Sequence, residues 1–518
     1  AASKVMPSSA RDSPQCLEMF SSWMDDTGAF SPKMAPAPIQ PGIRPMLLWF
    51  VIIYWIISVA IGIYAARWVH NSKDFAIAGR RLPMYIVTAT VFATWFGAET
   101  VLGIPATFMK EGFSGIIADP FGSSLCLILV GLFFARPLYR MNLLTIGDYY
   151  RKRYNRPVEM LTTMCIVISY LGWVGAQIKA LGLVFSVVSD GAITQEWGMI
   201  IGASTVLVYT VLGGMFSVAI TDFIQMIIIV LGMLYIGWAV SGIVPGGASA
   251  VIAHAAANDK FHILPKPELK DILWFLAAWI TMMLGSIPQQ DVFQRVQSAK
   301  DENTAARSSI LGGCLYFLFA FIPMYLAYSA SLIDPSMVAG ALKEGGDTQL
   351  ILPNLILSPV VPIFAQIMFF GALLSAIKSC ASATLLAPSV SFSENILKPL
   401  LPGINDQRFL LLMRVVLVGF TILVTAFALS TDASIYKMVE NAYKVTLVGA
   451  FVPLVMGLYW KRATNLGATL AIIFGLAIWI GFERYGADGL VPPQLAGLVA
   501  AFAGMIVGSL IFKDLQRP

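Results

Sequence analysis

Several ionisable side chains lie inside segments that are otherwise apolar, and their chemistry has to be explained first. They are Glu99, Asp119, Lys179, Asp222, Lys378, Glu440 and Lys444. A charge that faces lipid near the bilayer centre costs at least ~2.5–3.5 kcal/mol, so such side chains face an interior cavity or pair with each other. Glu440 and Lys444 stand four residues apart and can pair locally. Lys179, Asp222 and Lys378 are harder to explain as structural, so we treat them as candidates for binding inside a membrane.

The composition indicates what surrounds these charges. Of the 518 residues, 58% are hydrophobic and 12% are charged, whereas a soluble globular protein carries about 25% charged residues. Long apolar runs separated by short charged patches predict an all-α polytopic membrane protein, embedded in a lipid bilayer. The five cysteines form no metal or disulfide pattern, and no phosphate-loop or hydrolase motif is present. We therefore predict neither an enzyme nor an organic cofactor.

The apolar segments and the charged loops between them predict the organisation. We count thirteen segments, near 47–68, 83–109, 117–138, 158–188, 196–213, 217–243, 272–291, 308–332, 355–393, 407–430, 434–459, 465–485 and 492–512. Lysine and arginine concentrate in the loops after odd-numbered segments, which places the N-terminus outside and the C-terminus in the cytoplasm, in a bacterial inner membrane. This bias accounts for the net charge of +5, so no nucleic-acid partner is predicted. Residues 1–46 form a flexible extension, or alternatively dock a partner protein.

Two segments carry matching interruptions. The second contains ATWFGAETVLGIP and the seventh contains MMLGSIPQQ. Paired Gly/Pro breaks at corresponding places in two halves indicate a transporter built from inverted repeats. Broken helices free backbone carbonyls and amides inside the membrane, where ions and substrates can use them. A pair of purely structural kinks is the alternative.

Three motifs resemble those of the sodium:solute symporter family. They are GGMFSVAITDFIQ (213–225), GSIPQQDVFQRVQSAKDENTAARSS (285–309) and SAIKSCASATLL (375–386). Within the family, TATVFATWFG, LILVGLFFARPL and MMLGSIPQQDVFQRV are similar to the high-affinity choline transporter branch. The resemblance implies a LeuT-like five-plus-five inverted repeat of about 13 transmembrane helices, with the second and seventh broken. Its parts are an extra first helix (47–70), the repeats (83–243 and 272–460), and two last helices with the C-terminus (465–518).

The resemblance also implies a sodium site between the second and ninth helices. Its carbonyl ligands correspond to Ala93, Phe96 and Ala376, and its hydroxyl ligands to Ser379 and Cys380. A hard cation needs several oxygen ligands, which unwound carbonyls and hydroxyl groups supply. The thiol of Cys380 departs from this pattern, because sulfur is a poor ligand for a hard ion.

Lys378 is the second departure, and it leaves two readings open. It lies within FFGALLSAIKSCASATLLAPSVSF (369–392), a hydrophobic helix dense in small hydroxyl residues. Its ammonium could replace the ion, neutralise Asp222, which in the family lies near the sodium site, or load and release a proton. Alternatively Lys378 points away and sodium still binds.

The residues around the first break predict the substrate site. In the choline branch, tryptophans box a quaternary ammonium through cation–π attraction, and Trp95 and Trp173 occupy two such positions. Gln289 stands where a third is expected, so the box is incomplete. Glu99 close to Trp95 favours a cation. The other substrate reading is a small organic anion, held by Gln177, Lys179 and Gln289.

These observations predict a secondary transporter that moves a small polar metabolite by alternating access, coupled to sodium or to protons. The other open function is a transporter-fold sensor or a membrane subunit of a larger complex. The altered cation site and the long N-terminal extension fit that alternative. No nucleophile–base set supports catalysis.

Overall fold

The computed structural model describes residues 43–486 and 488–511, and every regular element in these ranges is helical. The strand-like feature in them is an isolated parallel bridge between Leu82 and Ala299. The α-helices, numbered in chain order, are α1 Ile43–Ala65, α2 Ser72–Ile77, α3 Met84–Trp95, α4 Ile104–Glu111, α5 Ser123–Leu129, α6 Ala135–Arg140, α7 Ile146–Arg153, α8 Arg156–Val188, α9 Gln195–Ile243, α10 Gly247–Ala257, α11 Leu269–Gly285, α12 Gln290–Ser298, α13 Glu302–Ile333, α14 Pro335–Leu342, α15 Ile351–Leu357, α16 Ile363–Ser391, α17 Asp406–Ser430, α18 Ile435–Thr446, α19 Val452–Tyr459, α20 Asn465–Tyr485 and α21 Pro493–Ile511.

The N-terminal boundary differs from the sequence prediction. The first helix begins at Ile43 rather than at residue 47. The rest of the predicted extension lies outside the described residues, and so does its suggested role in docking a partner.

Ten helical stretches in the described residues are long and apolar enough to cross a membrane. An eleventh arises if α11 and α12, which are bent by 43°, form one broken span. Helix α9 has 49 residues, more than twice the ~20 needed to span a bilayer, and it leaves helical geometry at Gly214, where φ is 48° and ψ is −140°. The count of thirteen stays a prediction, because length and composition alone give 10 or 11.

Both predicted interruptions are present. Helix α3 ends at Trp95, and a π-helical segment, Glu99–Gly103, follows before α4. The second interruption separates α11 from α12 by the residues between Gly285 and Gln290. The chain therefore has two broken helices where the sequence placed Gly and Pro.

Helix α16 lies at the centre of the fold. All its residues from Phe369 to Ser391 are buried, including the hydroxyl side chains. It packs against α9, α8, α17, α3 and α1. A helix that is buried on every side carries no lipid-facing apolar stripe, so the polar residues of this helix meet protein rather than lipid.

Several helices begin at a side chain that accepts a hydrogen bond from the first turn. Asp301 precedes α13 and accepts from the Thr304 amide and hydroxyl, both at 2.8 Å. These bonds hold the pKa of the Asp301 carboxyl below its ordinary value. Asn155 caps α8 in the same way through the Val158 amide. Such caps satisfy amides that a helix leaves without a partner, and they fix where the long spans start.

Candidate functional site

The candidate site lies around the break after α3, between Trp95 and Glu99. The Phe96 amide makes the final regular bond, to the Phe92 carbonyl at 2.9 Å, and Phe96 itself has ψ of 73°. A Cβ on Gly97 would lie 2.6 Å from Glu99 Oε2 and 2.9 Å from Cys380 Sγ. Glycine therefore lets the unwound chain approach α16 more closely than any other residue would allow.

The predicted sodium ligands lie on the two elements that meet at this contact. Ala93 and Phe96 are at the end of α3, and the others are on α16. All of them are fully buried: Ala93, Phe96, Ala376, Ser379 and Cys380. Helices α3 and α16 pack against each other, so the unwound carbonyls and the Ser379 hydroxyl belong to one region.

Asp222 is the charged member of this region. Its fully buried carboxylate accepts hydrogen bonds from the Ser379 hydroxyl at 2.5 Å and from the Thr90 hydroxyl. Helices α9, α16 and α3 thus meet at one carboxylate. Because the Ser379 hydroxyl donates its proton to Asp222, the remaining lone pair of its oxygen is free to face a cation.

Lys378 does not belong to this cluster, which corrects its assignment to the cation site. Within the part of the chain that the structure describes, its buried ammonium has no hydrogen-bond partner, and it lies over the rings of Tyr54 and Tyr209, 5.5 and 5.8 Å from their centroids. It lines a small cavity between α1, α8, α9 and α16. Successive helical residues differ by about 100° in direction, so Lys378 and Ser379 face different neighbours. None of the ion pairs of the described residues joins Lys378 to Asp222, so the geometry favours the reading in which Lys378 points away from the cation site.

Four aromatic rings form a buried cluster beside the break. Trp95 lies 5.7 Å from Trp173 in an edge contact and 6.1 Å from Tyr443 in a stacked one, between ring centroids. Tyr443 also contacts Trp173 at 5.4 Å, and Tyr170 stacks on Trp173 at 6.0 Å. The rings come from α3, α8 and α18. Trp95 and Trp173 are thus brought together as predicted, with two tyrosines in addition.

Glu99 adds a carboxylate to this cluster. Its oxygens accept hydrogen bonds from Trp173 Nε1 at 3.1 Å and from Gln177 Nε2 at 2.6 Å. Gln177 in turn accepts from the Ala98 amide at 2.9 Å, so it satisfies the unwound backbone. Among the ion pairs of the described residues, none involves Glu99. Its carboxyl group therefore lies beside the aromatic rings without a basic partner among the described residues.

Lys179 lies elsewhere, which corrects its assignment to the substrate site. Its ammonium donates to the carbonyls of Thr431 at 3.2 Å and Ala433 at 2.7 Å, in the segment between α17 and α18. Lys179 stands two positions after Gln177 on α8, about 200° around the helix, so the two side chains point in opposite directions. The carboxylate-binding set that included Lys179 is not assembled.

Gln289 lies at the second break and contacts α8 one helical turn before Trp173 of the aromatic cluster. Its Nε2 donates to Ser169 Oγ at 2.9 Å and to Thr446 Oγ1 at 3.4 Å. Ser169 stands four residues before Trp173 on α8. The amide of Gln289 thus connects the second break to the helices that carry the cluster.

Sequence reasoning missed five residues that contact these sites. They are Thr90, Tyr170, Asp291, Arg295 and Tyr443. Arg295 and Asp291 lie in the quoted motif QQDVFQRVQ, whose polar side chains recur around the whole of a helix that proves to be buried. The polar composition of this segment was the feature of the sequence that could have identified Asp291 and Arg295. Tyr443 had none, because a tyrosine in an apolar segment is unremarkable.

The amino-acid sequence is similar to those of known membrane transporters. A family model described as the sodium:solute symporter family matches residues 75–475. The human high affinity choline transporter 1 is 28% identical, over 84% of this chain and 76% of its own. Sodium/proline symporter 2 of Staphylococcus saprophyticus is 24% identical, over 90% and 94% of the two chains. These relatives are transporters rather than enzymes.

Solved structures show the same fold. The structure of a Na⁺-coupled sialic acid symporter, in a substrate-bound outward-open state, superposes with a TM-score of 0.78 at 20% identity and covers 92% of this chain and 99% of its own. The structure of MhsT in complex with L-phenylalanine gives 0.52 at 13% identity, covering 82% and 98%. With a family model that spans most of its helices, and with the expected fold, this integral membrane protein belongs to the sodium:solute symporter family.

Proposed function

We propose that this chain carries a small organic cation of the quaternary-amine class across a membrane together with sodium, by alternating access. The observation that carries the proposal is the Glu99 carboxylate, buried against Trp173 within the aromatic cluster. A quaternary ammonium has no hydrogens to donate, so aromatic faces and a nearby negative charge are the groups that suit it. Similarity to choline transporters supports the same class of substrate.

Sodium is the coupling ion that the cation-site geometry favours. The unwound carbonyls and Ser379 supply oxygen ligands, and Asp222 supplies a negative charge through its bond to Ser379. That charge compensates for the weak thiol ligand, Cys380. Among the ion pairs of the described residues none includes Asp222; a buried carboxylate without a cation in contact is costly, and a bound sodium would reduce that cost.

The geometry gives less support to the two alternatives. A small carboxylate substrate lacks a lysine, because Lys179 is bound to backbone carbonyls. Proton coupling through Lys378 lacks a route, because its ammonium lies in a separate cavity beside α1. Arg295 is the cationic side chain nearest the aromatic cluster, since it lines a small cavity together with Trp95, but its guanidinium is already bonded to Thr94 and Asp291.

Binding of radiolabelled choline to the purified protein in sodium chloride tests the proposal. We expect saturable binding that tetramethylammonium displaces and acetate does not. Trp173→Phe should raise the Kd several-fold, since phenylalanine attracts a cation less strongly than tryptophan and the bond from Trp173 Nε1 to Glu99 is lost. Trp238→Phe is the matched control, because Trp238 on α9 is 73% exposed.

Equal Kd values for the wild type and Trp173→Phe would remove the aromatic cluster from the substrate site. Displacement by acetate but not by tetramethylammonium would replace the organic cation with an anion. If no organic cation binds at all, the sensor or membrane-subunit alternative takes precedence over transport.

A further inference from the structure

Helix α12 is unusual because it is polar and yet completely buried. Its buried polar side chains are Gln290, Asp291, Gln294, Arg295, Gln297 and Ser298. In residues 43–486 and 488–511, no hydrogen-bond partner is found for Gln290 Nε2, Gln294 Oε1 or Gln297 Oε1. Buried polar groups normally find partners, so this helix is better solvated when water reaches it. It also follows the second break, where a broken helix can pivot.

Arg295 is the charge in this helix. Its guanidinium donates to the Thr94 hydroxyl at 2.8 Å and to the Asp291 carbonyl at 3.1 Å, and its Nε has no partner. Among the ion pairs of the described residues, none includes Arg295. A buried guanidinium without a paired carboxylate is destabilising, so the stability of this arrangement depends on negative charges that lie farther away.

A chain of hydrogen bonds leads from Arg295 to the cation site. Thr94, which accepts from Arg295, donates its own proton to the Thr90 carbonyl at 2.6 Å. Thr90 in turn donates its hydroxyl to Asp222, the carboxylate bound to Ser379. The two threonines stand one turn apart on α3, so the first broken helix physically connects α12 with the cation site.

On its other side, Arg295 is connected to the aromatic cluster. Asp291 stands one turn earlier on α12 and accepts a hydrogen bond from the Tyr170 hydroxyl at 2.5 Å. The ring of Tyr170 stacks on Trp173. Among the described residues Asp291 Oδ2 finds no partner, so this carboxyl group keeps an oxygen that a nearby cation can satisfy.

We propose that Arg295 is a positioning residue that makes the exposure of α12 to water depend on the charge at the cation site. The proposal rests on the function proposed above. While Asp222 is negative and unoccupied, it attracts the guanidinium across α3, and the threonine relay, formed by Thr94 and Thr90, keeps the guanidinium in place so that α12 packs against α3. A cation that neutralises Asp222 removes that attraction, and α12 is released to water. Solute and ion are thereby coupled through one guanidinium placed between their two sites.

Hydrogen–deuterium exchange of the amides of residues 290–298 tests this coupling in potassium chloride without choline. Asp222→Asn imitates a neutralised cation site, and we expect it to speed the exchange of α12 several-fold. Arg295→Gln removes the sensing charge and should have the same effect, whereas Arg295→Lys should retain the wild-type rate. Neither sodium nor substrate is present, so the result is independent of whether the proposed transport is correct.

The relay is tested by combining variants. Thr94→Val should weaken the effect of Asp222→Asn on α12, because the hydroxyl that keeps the guanidinium in place is lost. Thr88→Val is the matched control on the same helix, since the Thr88 hydroxyl has no partner, and there Asp222→Asn should keep its full effect. Unchanged α12 exchange in both Asp222→Asn and Arg295→Gln overturns the proposal. A full Asp222→Asn effect in the Thr94→Val background overturns the relay.

Discussion

Two neighbouring residues of α16 lie in different surroundings. Ser379 donates to Asp222 in the cation region, whereas the ammonium of Lys378 lies between the rings of Tyr54 and Tyr209. The first contact favours ion binding by oxygen atoms. The second places an unpaired charge against the extra first helix, where it has no geometric role in the cation site.

This separation gives a prediction for Lys378→Met. We expect the variant to keep the sodium dependence of the wild type, because the ammonium does not contact Asp222 or Ser379. We also expect the free energy of unfolding to rise by about 1 kcal/mol or more, the scale found when buried charges give way to apolar side chains of similar volume. Thermal unfolding in detergent at several sodium concentrations measures both effects.

Lys444→Met is the control for this substitution. Lys444 lies 3.6 Å from Glu483 and is largely buried, so its removal leaves a carboxylate without a partner and should destabilise the protein. If Lys378→Met destabilises as much as Lys444→Met, or moves the half-saturating sodium concentration, Lys378 acts in the cation site after all.

At the scale of elements, the two broken helices bring both sites together. Helix α3 and its π-helical continuation carry Trp95, Glu99 and the residues proposed to bind the cation, and α12 brings Arg295 to the same helix. Contacts from neighbouring helices stabilise the break after α3, in addition to the local preference of its glycine. Gln177 of α8 binds the unwound backbone, and Gly97 admits α16.

Gly97→Ala tests the importance of this close approach. A methyl group there would meet Cys380 Sγ at 2.9 Å and Glu99 Oε2 at 2.6 Å, so α3 must move away from α16. We expect sodium and choline binding to fall together, because both sites share the break. Equilibrium binding of each ligand to the variant measures the loss.

Gly242→Ala is the matched control, since an added Cβ meets nothing within 4 Å at that position of α9. It should leave both ligands bound as in the wild type. If Gly97→Ala weakens one ligand and spares the other, the two sites do not depend on a common backbone geometry.

The helical architecture and both interruptions were accessible from the sequence, because apolar length and paired Gly/Pro breaks are local signals. The pairing of Trp95 with Trp173 was accessible only through family resemblance. The directions of Lys378 and Lys179 were not, since each depends on which helix packs against which face. The contacts of Thr90 and Arg295 could not be predicted for the same reason. Thr90 bonds to Asp222, 132 positions away, and Arg295 bonds to Thr94, 201 positions away.

At the scale of the whole molecule, ligand binding and folding are linked. A ligand that binds only the folded protein stabilises it by RT ln(1 + [L]/Kd), which is about 2.7 kcal/mol at 100 times the Kd. We therefore expect the purified protein to unfold at a higher temperature in sodium chloride than in potassium chloride of equal ionic strength. Scanning fluorimetry or calorimetry measures the shift.

Ser379→Ala should abolish most of this sodium-specific shift. Ser391→Ala is the control on the same helix, because its buried hydroxyl has no hydrogen-bond partner, and it should retain the shift. Equal melting temperatures of the wild type in the two salts would argue against sodium as the coupling ion.

The attachment of α1 has a consequence for biosynthesis. The hydroxyl groups of Tyr54 and Ser375 are hydrogen-bonded at 2.5 Å, and Ser217 donates to the Gly62 carbonyl at 2.7 Å. Helices α1 and α9 are synthesised before α16, so Tyr54 and Tyr209 are already in the bilayer when Lys378 leaves the ribosome. A lysine at the centre of a span opposes insertion by about 2.5–3.5 kcal/mol. Contact with Tyr54 of α1 and Tyr209 of α9 keeps the Lys378 ammonium away from lipid. Loss of α1 would therefore appear first as failed membrane assembly of α16, before any defect in transport.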